Sequence, residues 1–177
     1  MVVGNLEFIK SVEVTSSTSS VDVTNCFSAN YDVYKITTND FSTVGTDQTA
    51  LDFRFLDSGG SVVSASNYDY AYLRMLANTT FAEVRNTNQT FMDNFFGVPD
   101  QNPEGASSIT YVFNPFSSSS YSFVTNQLVF SNGNVNKGHK YIGVLKQTAT
   151  MSGFRLFEQI TRPFDNGKIS VYGLASN

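Results

Sequence analysis

Cysteine, histidine and tryptophan are almost or wholly missing from this sequence of 177 residues, which has one Cys, one His and no Trp. The single cysteine, Cys26, excludes an internal disulfide framework and any zinc site built from several thiolates. The single histidine, His139, excludes metal centres that need several imidazoles and leaves little room for a histidine-dependent relay. A calcium ion held by loop carboxylates and carbonyls stays open, although no EF-hand spacing is present.

Charge is also scarce, because 11 Lys and Arg stand against 15 Asp and Glu, for a net charge of −4. A basic footprint for nucleic acid is therefore absent. The hydrophobic share of 41% and aromatic share of 14% are too high for a disordered chain. No run approaches the roughly 20 apolar residues of a membrane span. The first ten residues lack the pattern of a signal peptide, so we expect a soluble protein.

What the chain does contain is alternation of apolar and polar residues. Leu51–Leu56 places Leu51 and Phe53 on one side and Asp52 on the other, which is typical of a half-buried strand. Further strands are predicted at Leu6–Val14, Val21–Val23, Tyr31–Ile36, Tyr70–Leu76, Ile109–Phe113, Tyr121–Val124, Gln127–Phe130, Lys140–Lys146, Gly153–Phe157 and Lys168–Leu174.

The connections carry turn residues. Asp57–Gly60, Ser131–Asn134 and Asp165–Lys168 contain Gly-Gly or Asn-Gly, the signals of tight hairpins. Thr80–Phe96 is the best candidate for a short helix, although its Asn and Thr residues are poor helix formers. Val98–Gly105, with two prolines, is predicted to be an irregular loop.

These patterns predict an all-β fold, an antiparallel, jelly-roll-like β-sandwich of about ten short strands with at most one short helix. One domain covers residues 1–177, and residues 1–5 are a candidate attachment arm. We expect Leu6–Val14 and Lys168–Leu174 to be antiparallel neighbours in one sheet. In that arrangement the closing strand alternates between a core side and an outward side. The residues expected in the core are Ile169 and Val171, with Phe8 and Val12 near Val171, and those expected outside are Lys168, Ser170 and Tyr172.

Catalytic candidates are few. His139 lies in the polar segment Asn136–Lys140, where an exposed turn residue and a general base are the alternatives. Cys26 ends an apolar strand, which favours a small buried hydrophobe over a nucleophile. Nine carboxylates supply pairs for a glycosidase without specificity, namely Asp52, Asp57, Asp69, Glu83, Asp93, Asp100, Glu104, Glu158 and Asp165. We assign no catalytic residue, cofactor or metal, and we expect a protein that is not an enzyme.

Tyrosines supply the one candidate binding surface. Tyr68, Tyr70 and Tyr72 share a parity, which fits the inward face of a strand, a subunit interface or a platform for stacking sugars. Tyr172 is a further candidate for an interface or glycan contact.

Several segments together resemble small jelly-roll-like structural proteins of tailed-bacteriophage virions, especially phages of marine bacteria. The closing Gly167–Gly173 resembles the last strand of jelly-roll modules in head decorations, fibres and tail tips. The other segments are Tyr31–Ile36, Phe53–Val62, Tyr68–Tyr72, Tyr111–Tyr121, Gly143–Thr148 and Gly153–Leu156.

The resemblance implies a non-enzymatic virion component, acting as a capsid decoration, head fibre or tail appendage. Its partners would be other virion proteins, with no nucleic acid and no membrane span. Separately, we expect self-association as a homo-trimer or higher symmetric array, because a sandwich has exposed edge strands and the closing strand Ile169–Leu174 has only Lys168 as a nearby charge. The low charge limits repulsion between identical neighbours. A carbohydrate-binding module that recognises a host receptor is the alternative, and a polysaccharide-degrading enzyme is a third hypothesis.

Overall fold

The computed structural model describes residues 5–15, 18–44, 49–79, 81–99, 105–132, 135–160 and 162–175. Within these ranges the chain is all β, and none of it forms a helix that could cross a membrane. The twelve strands are β1 Leu6–Thr15, β2 Ser20–Val23, β3 Val33–Thr43, β4 Thr49–Asp57, β5 Tyr68–Leu76, β6 Ala82–Gln89, β7 Met92–Val98, β8 Ala106–Phe113, β9 Ser122–Asn132, β10 Val135–Leu145, β11 Met151–Phe157 and β12 Phe164–Leu174.

The strands form two antiparallel sheets. The large sheet has the order β1-β12-β3-β8-β9-β10-β5-β6, and the small sheet has the order β2-β11-β4-β7. Four pairs are nested one inside the other along the chain: β1 with β12, β2 with β11, β3 with β8, and β4 with β7. A long antiparallel ribbon rolled into two facing sheets gives this nesting, which is the jelly roll predicted from the sequence.

Two hairpins are added to this eight-stranded plan. β5–β6 lies between β4 and β7 in the chain, and β9–β10 lies between β8 and β11. The β9–β10 hairpin joins the large sheet beside β8 and the β5–β6 hairpin follows beside β10, which makes that sheet twice as wide as the small one. The β9–β10 hairpin closes at the pair Asn132 and Val135, as the turn signal predicted, while residues 133–134 lie outside the described ranges.

The core between the sheets is built largely from aromatic rings. Phe53 stacks on Phe154 with ring centroids 5.5 Å apart and meets Phe55 edge-on at 5.0 Å. Phe27 also packs on Phe154, with ring centroids 6.1 Å apart. Each such pair adds about 0.5–1.5 kcal/mol beyond the apolar area that it buries.

The first and last strands pair as expected. β1 is antiparallel to β12, and Ile169 and Val171 are fully buried. Lys168, Ser170 and Tyr172 alternate with them on the outer side, although Ser170 is itself covered. The prediction that Phe8 packs near Val171 is wrong. A bulge between Phe8 and Lys10 puts Phe8 opposite Tyr172, on the outer side of the sheet. The bulge coincides with residues 9–10, where the alternation of apolar and polar residues breaks in the sequence.

The turn predictions met different outcomes. Asp57–Gly60 is a turn in which Asp57 Oδ1 accepts hydrogen bonds from the amides of Gly59 and Ser61, both at 2.9 Å. Asp165–Lys168, in contrast, lies inside β12, where the register with β3 shifts twice. A Cβ at Gly167 would lie 2.5 Å from the Phe41 ring, so this glycine serves close packing and not a hairpin.

Three segments differ from the sequence prediction. Thr80–Phe96, the helix candidate, contains β6 and the start of β7. Tyr121–Val124 and Gln127–Phe130 belong to one continuous strand, β9. Most of the loop predicted at Val98–Gly105 falls outside the described residues.

Candidate interaction surface

The outer face of the large sheet bears apolar side chains where a water-facing sheet is ordinarily polar. One row of cross-strand neighbours crosses all eight strands, with Ile142 and Tyr172 in it. From β1 to β6 the row consists of Phe8, Tyr172, Lys35, Tyr111, Thr125, Ile142, Ala71 and Arg85.

The neighbouring row is still more apolar. It consists of Leu6, Leu174, Val33, Phe113, Phe123, Val144 and Asp69. We call these two rows the apolar band. Ile142 is 60% exposed and Phe123 is 46% exposed. Of the ten large hydrophobic side chains exposed in the described residues, six lie on this face: Leu6, Phe8, Ile109, Phe123, Val129 and Ile142.

A hollow of about 760 Å³ opens in the band. Its floor is formed mainly by Phe113, Phe123, Ile142 and Val144, and its rim includes Asp69, Arg85, Asn86, Thr87 and Thr125. Except for Phe113 of β8, all of these residues belong to the two added hairpins. The hairpins therefore supply a concave surface that the eight-stranded jelly roll alone does not have.

The rim of the hollow carries an ion pair between Asp69 and Lys146. Asp69 Oδ1 lies 2.9 Å from Lys146 Nζ and accepts the Asn88 amide at 2.8 Å. Desolvation acts to raise the pKa of Asp69, but these two partners outweigh it and hold the pKa below its usual value. A carboxylate and an ammonium therefore stand together at the edge of an apolar floor.

Tyr68, Tyr70 and Tyr72 project to the other side of β5, into the interior, and they are 0%, 5% and 8% exposed. Their rings are therefore not available as a surface platform. Of the three alternatives for these tyrosines, the inward face of a strand is the one observed. Tyr68 Oη accepts the Phe55 amide at 3.1 Å and donates to the Val63 carbonyl at 3.0 Å. Tyr172 does lie on the outer face, half-buried and edge-on to Phe8 at 5.7 Å.

A column of stacked rings lines the inner side of β5 and β10, next to strand β7 of the small sheet. Tyr70, Tyr141, Tyr72 and His139 follow one another at centroid distances of 5.7, 5.3 and 5.0 Å, with interplanar angles of 21° or less.

His139 is in β10 and is 4% exposed, so the exposed-turn expectation is wrong. Its segment continues the strand because the flanking residues pair with both β9 and β5. Burial lowers the pKa of His139 to about 4, and the nearby charges of Arg74 and Lys137 act in the same direction. Both ring nitrogens are buried, which keeps the neutral imidazole away from any solvent-borne substrate.

The edge of β7 brings two carboxyl groups together. Asp52 is 1% exposed, and its oxygens accept the Asn94 amide at 2.9 Å and the Gln159 side chain at 2.7 Å. Burial raises the pKa of Asp52 to about 7, and the adjacent Asp93 carboxylate adds to this rise. The Asp93 carbonyl accepts Tyr141 Oη at 3.0 Å, which ties the pair to the ring column.

Of the remaining candidates, Cys26 has a structural role and two acids lie outside the described residues. Cys26 is buried, its Sγ contacts the Val23 carbonyl at 3.4 Å, and burial raises the pKa of the thiol to about 12. It is thus the small buried hydrophobe that was expected. Asp100 and Glu104 lie outside the described residues. Among the residues that are described, no three His, Cys, Asp or Glu side chains group as metal ligands.

The sequence could not indicate the Asp52 and Asp93 pair, because the two residues lie on different strands. Its only trace is that Asp52 stands between two large apolar residues of β4, Leu51 and Phe53. Nor could the sequence indicate the apolar band, which depends on which side of each strand faces the core.

No protein-family model matches the sequence, and no curated protein matches it. Among solved structures, a family 7 alginate lyase A1-II′ in complex with substrate is 9% identical, with a TM-score of 0.25 and coverage of 83% of this chain and 63% of that one. A fructofuranosidase from Schwanniomyces occidentalis is 9% identical, with a TM-score of 0.21 and coverage of 97% and 34%.

The infectious bursal disease virus VP2 subviral particle is 11% identical, with a TM-score of 0.20 and coverage of 97% of this chain and 41% of that one. The chain thus spans less than two thirds of each of these proteins. At such TM-scores no activity, ligand or partner is transferred from them.

Proposed function

We propose that this protein is a non-enzymatic assembly module that binds other protein subunits through the outer face of its large sheet. The observation that carries the proposal is the apolar band. A sheet face in permanent contact with water is expected to alternate apolar-in and polar-out. Here the outward positions of seven adjacent strands present Leu, Val, Ile, Phe and Tyr side chains. Apolar patches of this extent mark interaction sites.

The particle that we propose is a tailed-phage virion, with the protein as a capsid decoration, head fibre or tail appendage. The ordered sequence resemblance supports this location. The jelly roll also recurs in viral capsid domains, although a shared fold does not by itself determine function.

The sheet edges are less suited to assembly than the face. The closing strand, which the sequence suggested as an exposed edge, lies between β1 and β3. The actual edges are short, charged or bulged, as natural edges that avoid pairing usually are. The features concerned are the four-residue β2, the charges Glu7, Lys10 and Glu13 in β1, Glu83 and Arg85 in β6, and the positive φ of Asn94 in β7.

Particles purified from a lysate that contains the protein provide the test. Mass spectrometry should find many copies on washed particles. An Ile142→Lys variant should be lost from them. Ile160→Lys should be retained, because Ile160 is equally exposed at 62% but lies in the turn between β11 and β12, outside the strands of the large sheet. Washed particles without the wild-type protein would refute the proposal.

A second candidate is carbohydrate binding, now placed at the hollow and not on the buried tyrosines. Phe113 and Phe123 offer ring surfaces, and Asn86, Thr87 and Arg85 offer hydrogen-bonding groups at the rim. A glycan array on the recombinant protein tests it. A signal lost in Phe123→Ala and kept in Phe81→Ala, at another exposed phenylalanine, would support receptor recognition.

A further inference from the structure

We propose that the partner on this face is a second copy of the chain, so that two large sheets pack outer face against outer face. The inference rests on the proposed function and names its partner. It also replaces the homo-trimer suggested by the sequence with a two-fold pair as the basic unit.

The area of the face fits this partner. Eight strands make seven spacings of about 4.8 Å, or about 34 Å across the sheet. Along the strands, the paired length is seven residues, as in Ser107–Phe113 of β8. At about 3.3 Å per residue this length is about 23 Å. The product is about 780 Å², close to the roughly 800 Å² that each partner buries in a stable, specific interface.

The relief of the face fits a copy of itself. Val129 is 61% exposed and projects from β9 outside the hollow, whose floor includes Phe113, Phe123 and Ile142. Sheets that pack face to face interdigitate such side chains across a layer about 10 Å thick. A surface that carries both projections and a recess is able to fill its own recess.

The charges on the face also allow self-pairing. The whole chain carries −4, but the outward rows of the large sheet hold one cation more than acids. The cations are Lys35, Arg85, Lys140 and Lys168, and the acids are Glu13, Asp69 and Glu83. Two copies therefore meet here without the acid–acid repulsion that the net charge would cause elsewhere.

The symmetry of such a contact is defined. A surface that binds the same surface on its partner is isologous and closes as a two-fold dimer, with no free copy of the face left over. Higher assembly on a particle would then use other surfaces of the dimer.

Sedimentation equilibrium of the full chain tests the inference, with Ile142→Lys and Val129→Lys as face variants and Ile160→Lys as the matched control. The wild type should sediment at twice its 19.5 kDa. Each face variant should weaken dimerisation by about 100-fold or more, because it replaces buried apolar area with a charge. The control should dimerise like the wild type. Circular dichroism melts of each variant, whose altered side chain is more than half exposed, check that the fold is kept.

Each outcome separates the two proposals. A wild-type dimer lost only in the face variants supports the inference. A dimer that survives both face variants overturns it, since the contact then lies elsewhere. A wild-type monomer at all concentrations also overturns it. In that case loss of Ile142→Lys from purified particles would preserve the proposed function with another virion protein as partner, and absence of the wild type from particles would refute both.

Discussion

Replacing Asp52 by Asn should make the protein more stable at pH 8, although it removes a hydrogen-bonded charge. Asp52 is buried beside Asp93, and its oxygens are held by the Asn94 amide and the Gln159 side chain. An asparagine has the shape of the protonated acid and can likewise donate toward Asp93. The Gln159 amide must rotate to face it, since the group that it met as an acceptor becomes a donor.

The magnitude follows from the pKa of the carboxyl group. The pKa of Asp52 is about 7 in the fold against an ordinary 3.8, which corresponds to about 4 kcal/mol at about 1.4 kcal/mol per pH unit. Because the folded state binds this proton more tightly than the unfolded chain does, the contribution is full below about pH 4. It is lost as the pH rises from about 4 to about 7. Asn avoids that loss.

His139 has the opposite effect. Its pKa is about 4 in the fold against an ordinary 6.5, so the unfolded chain binds the proton more readily. Its contribution to the free energy of unfolding, about 3 kcal/mol, is full above about pH 6.5 and is lost as the pH falls toward 4. Between pH 4 and 6.5 the two groups therefore nearly cancel, and the wild type should show little pH dependence from them.

Urea unfolding at half-unit steps from pH 4 to 8 separates the two groups. Asp52→Asn should show stability that rises with pH, and His139→Phe, which keeps an aromatic ring against Tyr72, should show stability that falls with pH. The double variant should be flat again, and Asp165→Asn, at an exposed carboxylate, serves as the control. If Asp52→Asn keeps the wild-type slope, the carboxyl is ionised throughout and the reasoning fails.

Three further changes test the packing by thermal or urea unfolding. Tyr68→Phe leaves the Phe55 amide and the Val63 carbonyl without their partner, so it should lower the free energy of unfolding by about 1–3 kcal/mol. Tyr121→Phe, at an exposed ring, should change it almost not at all. Equal effects would contradict the role of these two buried hydrogen bonds. Gly153→Ala places a Cβ 2.1 Å from the Val23 carbonyl oxygen and should cost about 3 kcal/mol. Gly143→Ala should cost less, because the nearest atoms to its Cβ belong to the flexible side chain of Met92; the reverse order would contradict the packing. Deleting residues 168–177 removes most of β12 from between β1 and β3 and should abolish the cooperative melt, and a truncated chain that melts near the full-length midpoint would refute the sheet assignment.

Alternation predicted the strands where one side is buried and the other is not. β6 was not predicted as a strand, because it is an edge strand that is largely exposed on both sides. Its residues Glu83, Arg85 and Asn86 therefore show no apolar period. β9 was split in two because Asn126 is polar. In the fold, Asn126 is buried, donates to the Phe95 carbonyl at 2.6 Å and accepts Thr110 Oγ1 at 3.2 Å.

The candidate surface was beyond prediction for a related reason. In β9 both parities hold apolar residues, with Phe123 and Val129 on one side and Val124 and Leu128 on the other. Only the pairing of β9 with β8 and β10 decides which side faces the core. The parity of the three tyrosines was evident from the sequence, but their direction was not, because it depends on the same pairing.

The nesting of the strands has a consequence for how the chain is made. In the described part of the chain, β12 is the only strand that pairs with β1, and 149 positions separate Thr15 from Phe164. At about 5–20 residues per second, a ribosome takes roughly 7–30 s to make that stretch. During this time β1 has left the ribosome, but the strand that pairs with it has not yet been made. Its regularly spaced charges Glu7, Lys10 and Glu13 disfavour pairing of this unpaired strand with another nascent chain on the same polysome.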